Sequence, residues 1–332
     1  MLYLIRFFNA LLAAGLLLAA LPLAPPASSQ EPAAKTYVYL ADMKEGLYII
    51  DVSELTSPVL AAVFHTLQAA YGVAAVGDYA YVADRGGLRI LNASDPDAPL
   101  GTGFHQSSGD MTGGLAVVGD YAYLADGKGG LHIVDVSDRT APAEVSLFAT
   151  TGNAQGVAVA GNYAYLCEGM AGTEIVDVSN PAAPVKMASY GAETGDSAAV
   201  MAARSHLYVG DSINGLCVIN ISDPAAPIQE GVLSAGVIHP RSVVTVGDYA
   251  YVLAAYPHLH IVDVSDVSAP KRVGTYHTVG NAADIAVAGN YAYIAAGMEG
   301  LRVIDVSDPA APVEVGFYDT AGYAMGVAVL AQ

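Results

Sequence analysis

Basic residues, cysteine and tryptophan are scarce in this sequence. Its 332 residues include 13 Lys and Arg against 32 Asp and Glu, two cysteines and no tryptophan. The resulting net charge of −19 argues against nucleic acid and anionic lipid as partners, because phosphate groups are bound through Lys and Arg. The absence of tryptophan disfavours a sugar-binding lectin, although 21 tyrosines remain. The sequence also has no nucleophile elbow, phosphate loop, CxxC or HExxH motif.

The first 29 residues differ in character from the rest of the chain. One arginine precedes the apolar run Phe7–Ala24, and small residues follow it, with Ala27 and Ser29 at positions −3 and −1 of a potential cut before Gln30. These three regions are typical of a secretory signal peptide. The alternative, an uncleaved membrane anchor, needs about 20 apolar residues, whereas this run is broken by an asparagine and a proline. We therefore predict a cleaved signal peptide over residues 1–29 and no transmembrane segment in the mature chain. The protein would be exported, to the extracellular space, cell surface or periplasm.

The motif IVDVS and its variants recur along the remaining chain with a near-constant period. The central Asp or Asn of the motif stands seven times, 41 to 43 residues apart, at Asp51, Asn92, Asp135, Asp177, Asn220, Asp263 and Asp305. A fixed period in this range marks a solenoid, a propeller or a similar array. Residues 30–332 are therefore predicted to form one domain of about 42-residue repeats. The two cysteines, Cys167 and Cys217, fall in different repeats, and two buried thiols are favoured over a disulfide.

Each repeat contains four short segments with the composition of β-strands. In the repeat that begins at Ala154 they are AQGVAVAG, NYAYLCE, GTEIVDVS and PVKMASY, bounded by Gly, Pro, Asn or Asp. A pair such as Gly77-Asp78 separates the first two strands and favours a tight hairpin, because it tolerates positive φ. An SDPAAP-type segment separates the last two, since Asp accepts backbone hydrogen bonds and Pro presets φ. Each repeat is therefore predicted to be an antiparallel four-stranded meander, with strands A, B, C and D in sequence order.

The two ends of the chain complement one another. The first repeat lacks strand A, because KTYVYLAD, starting at Lys35, is a B strand, and the C-terminus carries an unmatched A strand at Ala324–Ala331. An open solenoid would need polar caps, whereas one missing and one spare strand fit a closed ring. The sequence therefore predicts an all-β fold, a seven-bladed β-propeller whose C-terminal strand completes the first blade.

These motifs resemble those of a known family. GLxIVDVSDPxxPxxVG, preceded by VxVxGxYAYVAD, is similar to the LVIVD repeat of bacterial and archaeal secreted and cell-surface proteins, and the resemblance extends from about Thr36 to the end of the chain. It implies a β-propeller and an extracytoplasmic location. It also implies a group mostly without assigned activity, so that it supplies no catalytic residues to transfer.

Strand B ends in an acidic residue in five repeats, at Asp42, Asp84, Asp126, Glu168 and Asp211. The favoured interpretation is turn chemistry, in which each acid accepts hydrogen bonds from the B–C loop. The functional alternative is an acidic ring, because the B–C and D–A loops emerge on the same face of a propeller and hard cations bind several oxygen ligands. The sequence leaves the cofactor open, with Ca²⁺ or another divalent cation as the candidate. The repeated Asp or Asn of IVDVS, in contrast, is predicted to make a structural hydrogen bond at the C–D turn.

The D–A loops vary most and are expected to reach toward the central channel. The candidate metal ligands in or near them are His65, His105, His277, Asp319 and Asp284, and Arg241 is a further polar residue there. Imidazoles and carboxylates together could hold a transition metal, whereas the simpler interpretation is a set of exposed polar residues at loop tips. Because the three histidines belong to blades one, two and six, they need not converge.

The fifth and sixth repeats depart from the pattern. ARSHLY, starting at Ala203, replaces the usual G-D/N-Y-A-Y, and Tyr256 and His258 stand where other repeats have a Gly-rich B–C loop. Departures from a repeat are better site candidates than its constant residues. Tyr256 and His258 are therefore candidates for a binding edge, with drift in a loop as the alternative.

Three functions remain open at this stage. The favoured hypothesis is a secreted or cell-surface binding or scaffold propeller, not an enzyme, which binds a protein or a small ligand through its loop face. The first alternative is a metal-dependent hydrolase or lyase with its site at the central channel. The second is a structural component of the cell envelope, and the fold alone does not choose among the three.

Overall fold

The strand segments of every repeat are β-strands in the computed structural model, which describes residues 35–107, 113–191, 197–234, 239–254 and 258–331. Blade one contains β1 (Thr36–Asp42), β2 (Gly46–Asp51) and β3 (Val59–His65). Blade two contains β4 (Ala70–Val76), β5 (Tyr79–Asp84), β6 (Gly87–Asn92) and β7 (Leu100–Gln106). Blade three contains β8 (Gly114–Val118), β9 (Tyr121–Ala125), β10 (Leu131–Asp135) and β11 (Ala143–Phe148).

The remaining blades follow the same order. Blade four contains β12 (Gly156–Ala160), β13 (Tyr163–Cys167), β14 (Thr173–Asp177) and β15 (Val185–Tyr190). Blade five contains β16 (Ser197–Ala203), β17 (His206–Asp211), β18 (Gly215–Asn220) and β19 (Ile228–Leu233). Blade six contains β20 (Pro240–Val246), β21 (Tyr249–Ala254), β22 (His258–Asp263) and β23 (Lys271–His277). Blade seven contains β24 (Asp284–Ala288), β25 (Tyr291–Ala295), β26 (Leu301–Asp305) and β27 (Val313–Tyr318), and β28 (Ala324–Ala331) ends the chain.

The predicted ring is confirmed, including its closure. Within the described residues these strands form seven four-stranded antiparallel sheets, and there is no helix. The C-terminal strand β28 pairs with β1 in the order β28-β1-β2-β3, with Tyr37 opposite Leu330 and Tyr39 opposite Ala328. Strand A of the first blade is therefore supplied by the other end of the chain.

The core lies between blades rather than within one layer. Seven buried clusters each join one blade to the next, including one between the first and the last blade. Between blades one and two, Tyr39 and Ile49 pack on Val82 and Leu91, and all four are fully buried. Both faces of each sheet are covered in this way, which explains why strands B and C are apolar at almost every position.

The turns use the residues that the sequence indicated. In all seven repeats the Oδ1 atom of the motif Asp or Asn accepts a hydrogen bond from the backbone N–H of the serine two residues later. The A–B hairpins place the first glycine of the pair at a φ between 55° and 61°, the conformation that the first position of a type II′ turn requires. Arg204 occupies this position in blade five with a φ of 56°.

The two thiols do not form a disulfide. Cys167 and Cys217 are both buried and free, in agreement with the favoured interpretation. Burial raises the pKa of Cys167 to about 12 and that of Cys217 to about 11, so both thiols stay protonated and unreactive. Separately, no helix in the described part of the chain is long and apolar enough to cross a membrane.

Candidate functional site

A cavity of about 470 Å³ occupies the centre of the ring. Its wall contains residues of the A strand of every blade: Tyr71–Val73, Gly114–Leu115, Gly156–Val157, Ala199–Val200, Arg241–Val243, Asp284 and Met325. These strands lie at one edge of their sheets, and an edge strand presents unpaired backbone N–H and C=O groups. The channel wall therefore combines many small side chains with a few larger ones, and it offers backbone groups that can form hydrogen bonds.

Glycine lets the inner strands approach one another closely. A Cβ atom on Gly72 would lie 2.0 Å from the carbonyl oxygen of Gly113 in the next blade. Any other residue at Gly72 would push these two segments apart. The glycine at position 72 therefore has a geometric cause.

Arg241 and Asp284 are the charged residues of the described channel wall. Asp284 accepts hydrogen bonds from the Ser242 hydroxyl at 2.7 Å and from the backbone N–H of Val327 at 3.0 Å. Burial raises the pKa of the Asp284 carboxyl despite these bonds. Arg241 is exposed and has no hydrogen bond or ion pair within the part of the chain that the structure describes. Among the described residues, nothing occupies the guanidinium of Arg241, which can therefore meet a ligand in the channel.

The five acids at the ends of the B strands are all buried, at most 6 % exposed. Three of them accept backbone hydrogen bonds from their own B–C loop: Asp42 from Lys44 and Glu45, Asp84 from Gly86, and Asp211 from Ile213 and Asn214. The hydroxyls of Thr320, Ser107 and Thr151, which precede the next blade, donate to Asp42, Asp126 and Glu168. The bonds seen here tie each acid to its own turn or to the preceding blade.

The histidines of the D strands lie on the outside of the ring, because D is the outermost strand of each blade. His65 is exposed, and its Nδ1 atom lies 3.3 Å from Glu45 Oε2. His277 is exposed at the end of β23. Asp319 is exposed, and its Oδ1 atom accepts a hydrogen bond from Arg302 at 3.1 Å. The structure does not bring these residues together, and no histidine lines the described wall of the channel.

His105 is the exception among these histidines, because it meets residues of the next blade. Its Nε2 atom lies 3.5 Å from Glu144 Oε2, beside His132. Sequence reasoning did not single out His132 or Glu144. A signal was present at His132: the variable position of GLxIVD holds Tyr48, Arg89, His132, Glu174, Cys217, His260 and Arg302. A polar residue that changes from repeat to repeat inside an apolar strand is a departure from the pattern.

Two further candidates are only partly covered by the structure. Tyr256 lies outside the described residues. His258 is the first residue of β22, opposite His277 on β23, and its side chain is outside the description. The binding edge proposed for these two residues stays a prediction.

The chain belongs to the LVIVD repeat family. The family model matches seven times, over residues 35–66, 69–103, 109–150, 151–192, 194–233, 239–278 and 279–320. A search of functionally curated proteins found no match. Family membership thus agrees with the blade count, while no curated relative indicates an activity.

Solved structures with the same architecture are distant in sequence. Apo AztD from Citrobacter koseri is 14% identical, with a TM-score of 0.63 and coverage of 90% of this chain and 98% of that one. A Bacteroides uniformis protein described as a candidate 6-phosphogluconolactonase is 13% identical, with a TM-score of 0.76 over 90% and 100% of the two chains. A protein of unknown function from Desulfotomaculum acetoxidans is 12% identical, with a TM-score of 0.69 over 88% and 98%. At these identities the likeness shows the fold alone.

Proposed function

We propose that the protein is an exported, non-catalytic binding propeller of the cell surface or periplasm, whose central channel holds part of its ligand. The observation that carries this proposal is the guanidinium of Arg241, which no described residue binds, in a cavity of about 470 Å³ lined by all seven blades. Export is supported by the signal-like residues 1–29. The family and the fold are compatible with this role.

The chemistry of the channel favours a ligand with a negatively charged group. Asp284 already accepts two hydrogen bonds from the protein, whereas Arg241 has none to satisfy it within the described residues. Guanidinium binds carboxylate and phosphate groups through paired hydrogen bonds. Backbone groups at the inner strand edges would complete the contacts, as in other sites where main-chain donors and acceptors meet a ligand. The ligand class is a small carboxylate or phosphate, or the carboxylate terminus of a partner protein.

A catalytic role has less support from the geometry. A metal-dependent hydrolase would need imidazoles and carboxylates together at the channel. His65 and His277 lie on outer strands instead, and Asp284 is occupied by hydrogen bonds. The candidate lactonase among the similar structures has the same fold at 13% identity, which carries no activity to this chain.

The channel is tested by thermal unfolding of the purified protein with a panel of small anions: succinate, citrate, a hexose phosphate and a short peptide with a free C-terminal carboxylate. A ligand that binds only the native state raises the unfolding midpoint. We expect at least one of these anions to raise the midpoint of the wild type, and Arg241→Ala to weaken its binding roughly 10-fold or more, as for loss of a charged hydrogen bond.

Arg272→Ala is the matched control. Arg272 is an exposed arginine on the outer strand β23 of the same blade, so its removal changes the net charge equally without touching the channel. Equal stabilisation of wild type and Arg241→Ala by the same anion would reject the channel as the site. A panel without any effect on the wild type would reject this ligand class.

A further inference from the structure

Three potential metal ligands converge where blade two meets blade three. His105 lies on the outer strand β7 of blade two, and His132 and Glu144 lie on β10 and β11 of blade three. The Nδ1 atom of His132 is 2.5 Å from Glu144 Oε2, and the Nε2 atom of His105 is 3.5 Å from the same oxygen. One ligand atom from each residue can be chosen so that all three lie within 4.8 Å of one another.

The spacing of these atoms is close to that of a metal coordination sphere. Zinc binds imidazole nitrogen and carboxylate oxygen at about 2.0–2.2 Å, so that neighbouring ligand atoms on a tetrahedral ion are roughly 3.3 Å apart. The observed distances of 2.5 and 3.5 Å bracket this value. A rotation of the Glu144 side chain, which is about one-third exposed, would open the shorter distance.

A second carboxylate, that of Asp126, lies on the other side of the His132 ring. The Nε2 atom of His132 lies 3.2 Å from Asp126 Oδ2, and both residues are at most 3 % exposed. Asp126 in turn accepts a hydrogen bond from the Ser107 hydroxyl of the preceding blade. Histidines that bind a metal through one ring nitrogen almost always donate the other N–H to a carboxylate, carbonyl or water. His132 has Nδ1 facing the cluster and Nε2 facing Asp126, although the 3.2 Å approach of Nε2 does not meet hydrogen-bond geometry within the described residues.

His105 adds a buried nitrogen without a hydrogen bond. Its side chain is 14 % exposed, and its Nε2 atom is buried and makes no hydrogen bond within the described residues. A buried polar atom of this kind lowers stability unless something binds it. The nitrogen faces the Glu144 carboxylate across the blade interface, where a cation would meet it.

The other blades show that the fold does not require this cluster. Blade two has Arg89 at the position of His132, and its guanidinium pairs directly with Asp84. Blade six has His260 there, equally buried, but its B strand ends in Ala254 and the His260 ring faces Thr275. Among the described residues, the combination of two imidazoles and two carboxylates occurs at the interface of blades two and three.

We propose that His105, His132 and Glu144 bind a divalent transition-metal ion of the zinc class, with Asp126 as the positioning residue behind His132. Two imidazoles and one carboxylate suit Zn²⁺ and its first-row neighbours rather than Ca²⁺ or Mg²⁺, which take oxygen ligands. The exposed side of Glu144 leaves a fourth position open toward solvent. Because the ligands come from two blades, the bound ion also clamps one blade to the next.

The alternative explanation of this cluster is an ion pair, which requires a proton on His132 and no metal ion. Burial opposes a charged imidazole, but the neighbouring carboxylates of Asp126 and Glu144 outweigh it and raise the pKa of His132. A protonated His132 between two carboxylates would hold the same residues together as an ion pair. A measurement of metal binding distinguishes the two explanations. The metal site uses His105 as a ligand, whereas the ion pair does not require His105.

The test is a titration of chelator-treated protein without an affinity tag, using Zn²⁺ in calorimetry and Co²⁺ in absorption spectroscopy. We expect one equivalent of Zn²⁺, a rise in the unfolding midpoint, visible Co²⁺ bands typical of a low-coordinate nitrogen and oxygen site, and no response to Ca²⁺. His105→Ala and Glu144→Gln should each weaken Zn²⁺ binding by at least about 100-fold, more than loss of a supporting residue does.

His260→Gln is the matched control, because it removes a buried histidine from the same repeat position without touching the cluster. It should lower stability but leave one Zn²⁺ site of unchanged affinity. His105→Ala keeps the His132–Asp126 contact and is therefore expected to fold. Absence of Zn²⁺ binding by the wild type, or Zn²⁺ binding of unchanged affinity by folded His105→Ala and Glu144→Gln, would overturn the proposal.

Discussion

At the scale of single residues, one pair of positions carries different chemistry in different blades. The acid that ends strand B faces the variable residue of strand C. In blade two this pair is Asp84 with Arg89, an ion pair of opposite charges. In blade four it is Glu168 with Glu174, two buried carboxyls, of which Glu174 also pairs with Lys186. A scaffold shared by all repeats thus accommodates an ion pair in one blade and two carboxyl groups in another.

The Glu168–Glu174 pair makes stability depend on pH in an unusual direction. Burial raises the pKa of Glu168 above its ordinary value of 4.5, and the Glu174 carboxyl raises it further. The folded state therefore holds a proton that the unfolded state releases, and stability falls as the pH rises from about 4.5 toward the folded pKa. Glu168→Gln cannot lose a proton, and its oxygen can still accept from Thr151 and Gly152.

We expect Glu168→Gln to gain stability relative to the wild type between pH 5 and pH 8. The gain is on the order of 1–2 kcal/mol, since a tenfold change in proton affinity corresponds to about 1.4 kcal/mol. Denaturant unfolding at several pH values measures it. Glu54→Gln, which removes one charge from an exposed turn, should show no such trend. A constant difference between Glu168→Gln and wild type over this pH range would contradict the prediction.

At the scale of the structural element, the A–B hairpin has a strict conformational requirement. Five hairpins meet it with Gly77, Gly119, Gly161, Gly247 and Gly289. Blade five meets it with Arg204, whose φ of 56° lies in the left-handed region that side chains with a Cβ rarely adopt. The Arg204 side chain contributes little to stability, because its ion pair with Asp248 is 3.5 Å long and exposed.

Arg204→Gly should therefore stabilise the protein, by about 0.5–1 kcal/mol or roughly 1–3 °C in the unfolding midpoint of a chain of this size. Differential scanning calorimetry measures the shift. Ser205→Gly is the matched control, because Ser205 is the neighbouring turn residue and has no positive φ; it should not stabilise. An unchanged or lower midpoint for Arg204→Gly would show that the turn is not strained.

At the scale of the whole molecule, the ring depends on the last strand of the chain. β28 supplies the inner strand of blade one and pairs with β1 along its length. Ala324 also exchanges two backbone hydrogen bonds with Gly297 of blade seven, and Val327 donates to Asp284. Blades one and seven are therefore joined by β28 as well as by their shared buried cluster.

Deletion of residues 324–332 should open the ring. Strand β1 would become an exposed edge, and the buried side chains of Ala324 and Val327 would be lost. We expect loss of cooperative unfolding or a midpoint lower by roughly 10 °C or more, with partial recovery on addition of a peptide of residues 322–332. Deletion of Gln332 alone should have no effect. A truncated chain as stable as the control would contradict closure by β28.

Much of the fold follows from local patterns. The turns of Gly77 and Asp51, for example, use chemistry that a few residues determine. Local sequence patterns predict the candidate site less completely than the fold. Arg241 and Asp284 were identified as loop polar residues and share the channel wall. His132 and Glu144 were not identified, because their meeting with His105 depends on how two blades pack.

The sequence alone determined the number of blades, the strand order, the turns and the ring closure, because the repeat period, the composition of the strand segments and the complementary chain ends can all be read from the order of residues. Only the tertiary structure decided which polar residues meet. It placed His65 and His277 on the outer strands and left Arg241 in the channel. It also joined His105 to Glu144 across a blade interface. Distances between blades depend on the packing of both sheets, and no repeat period encodes them.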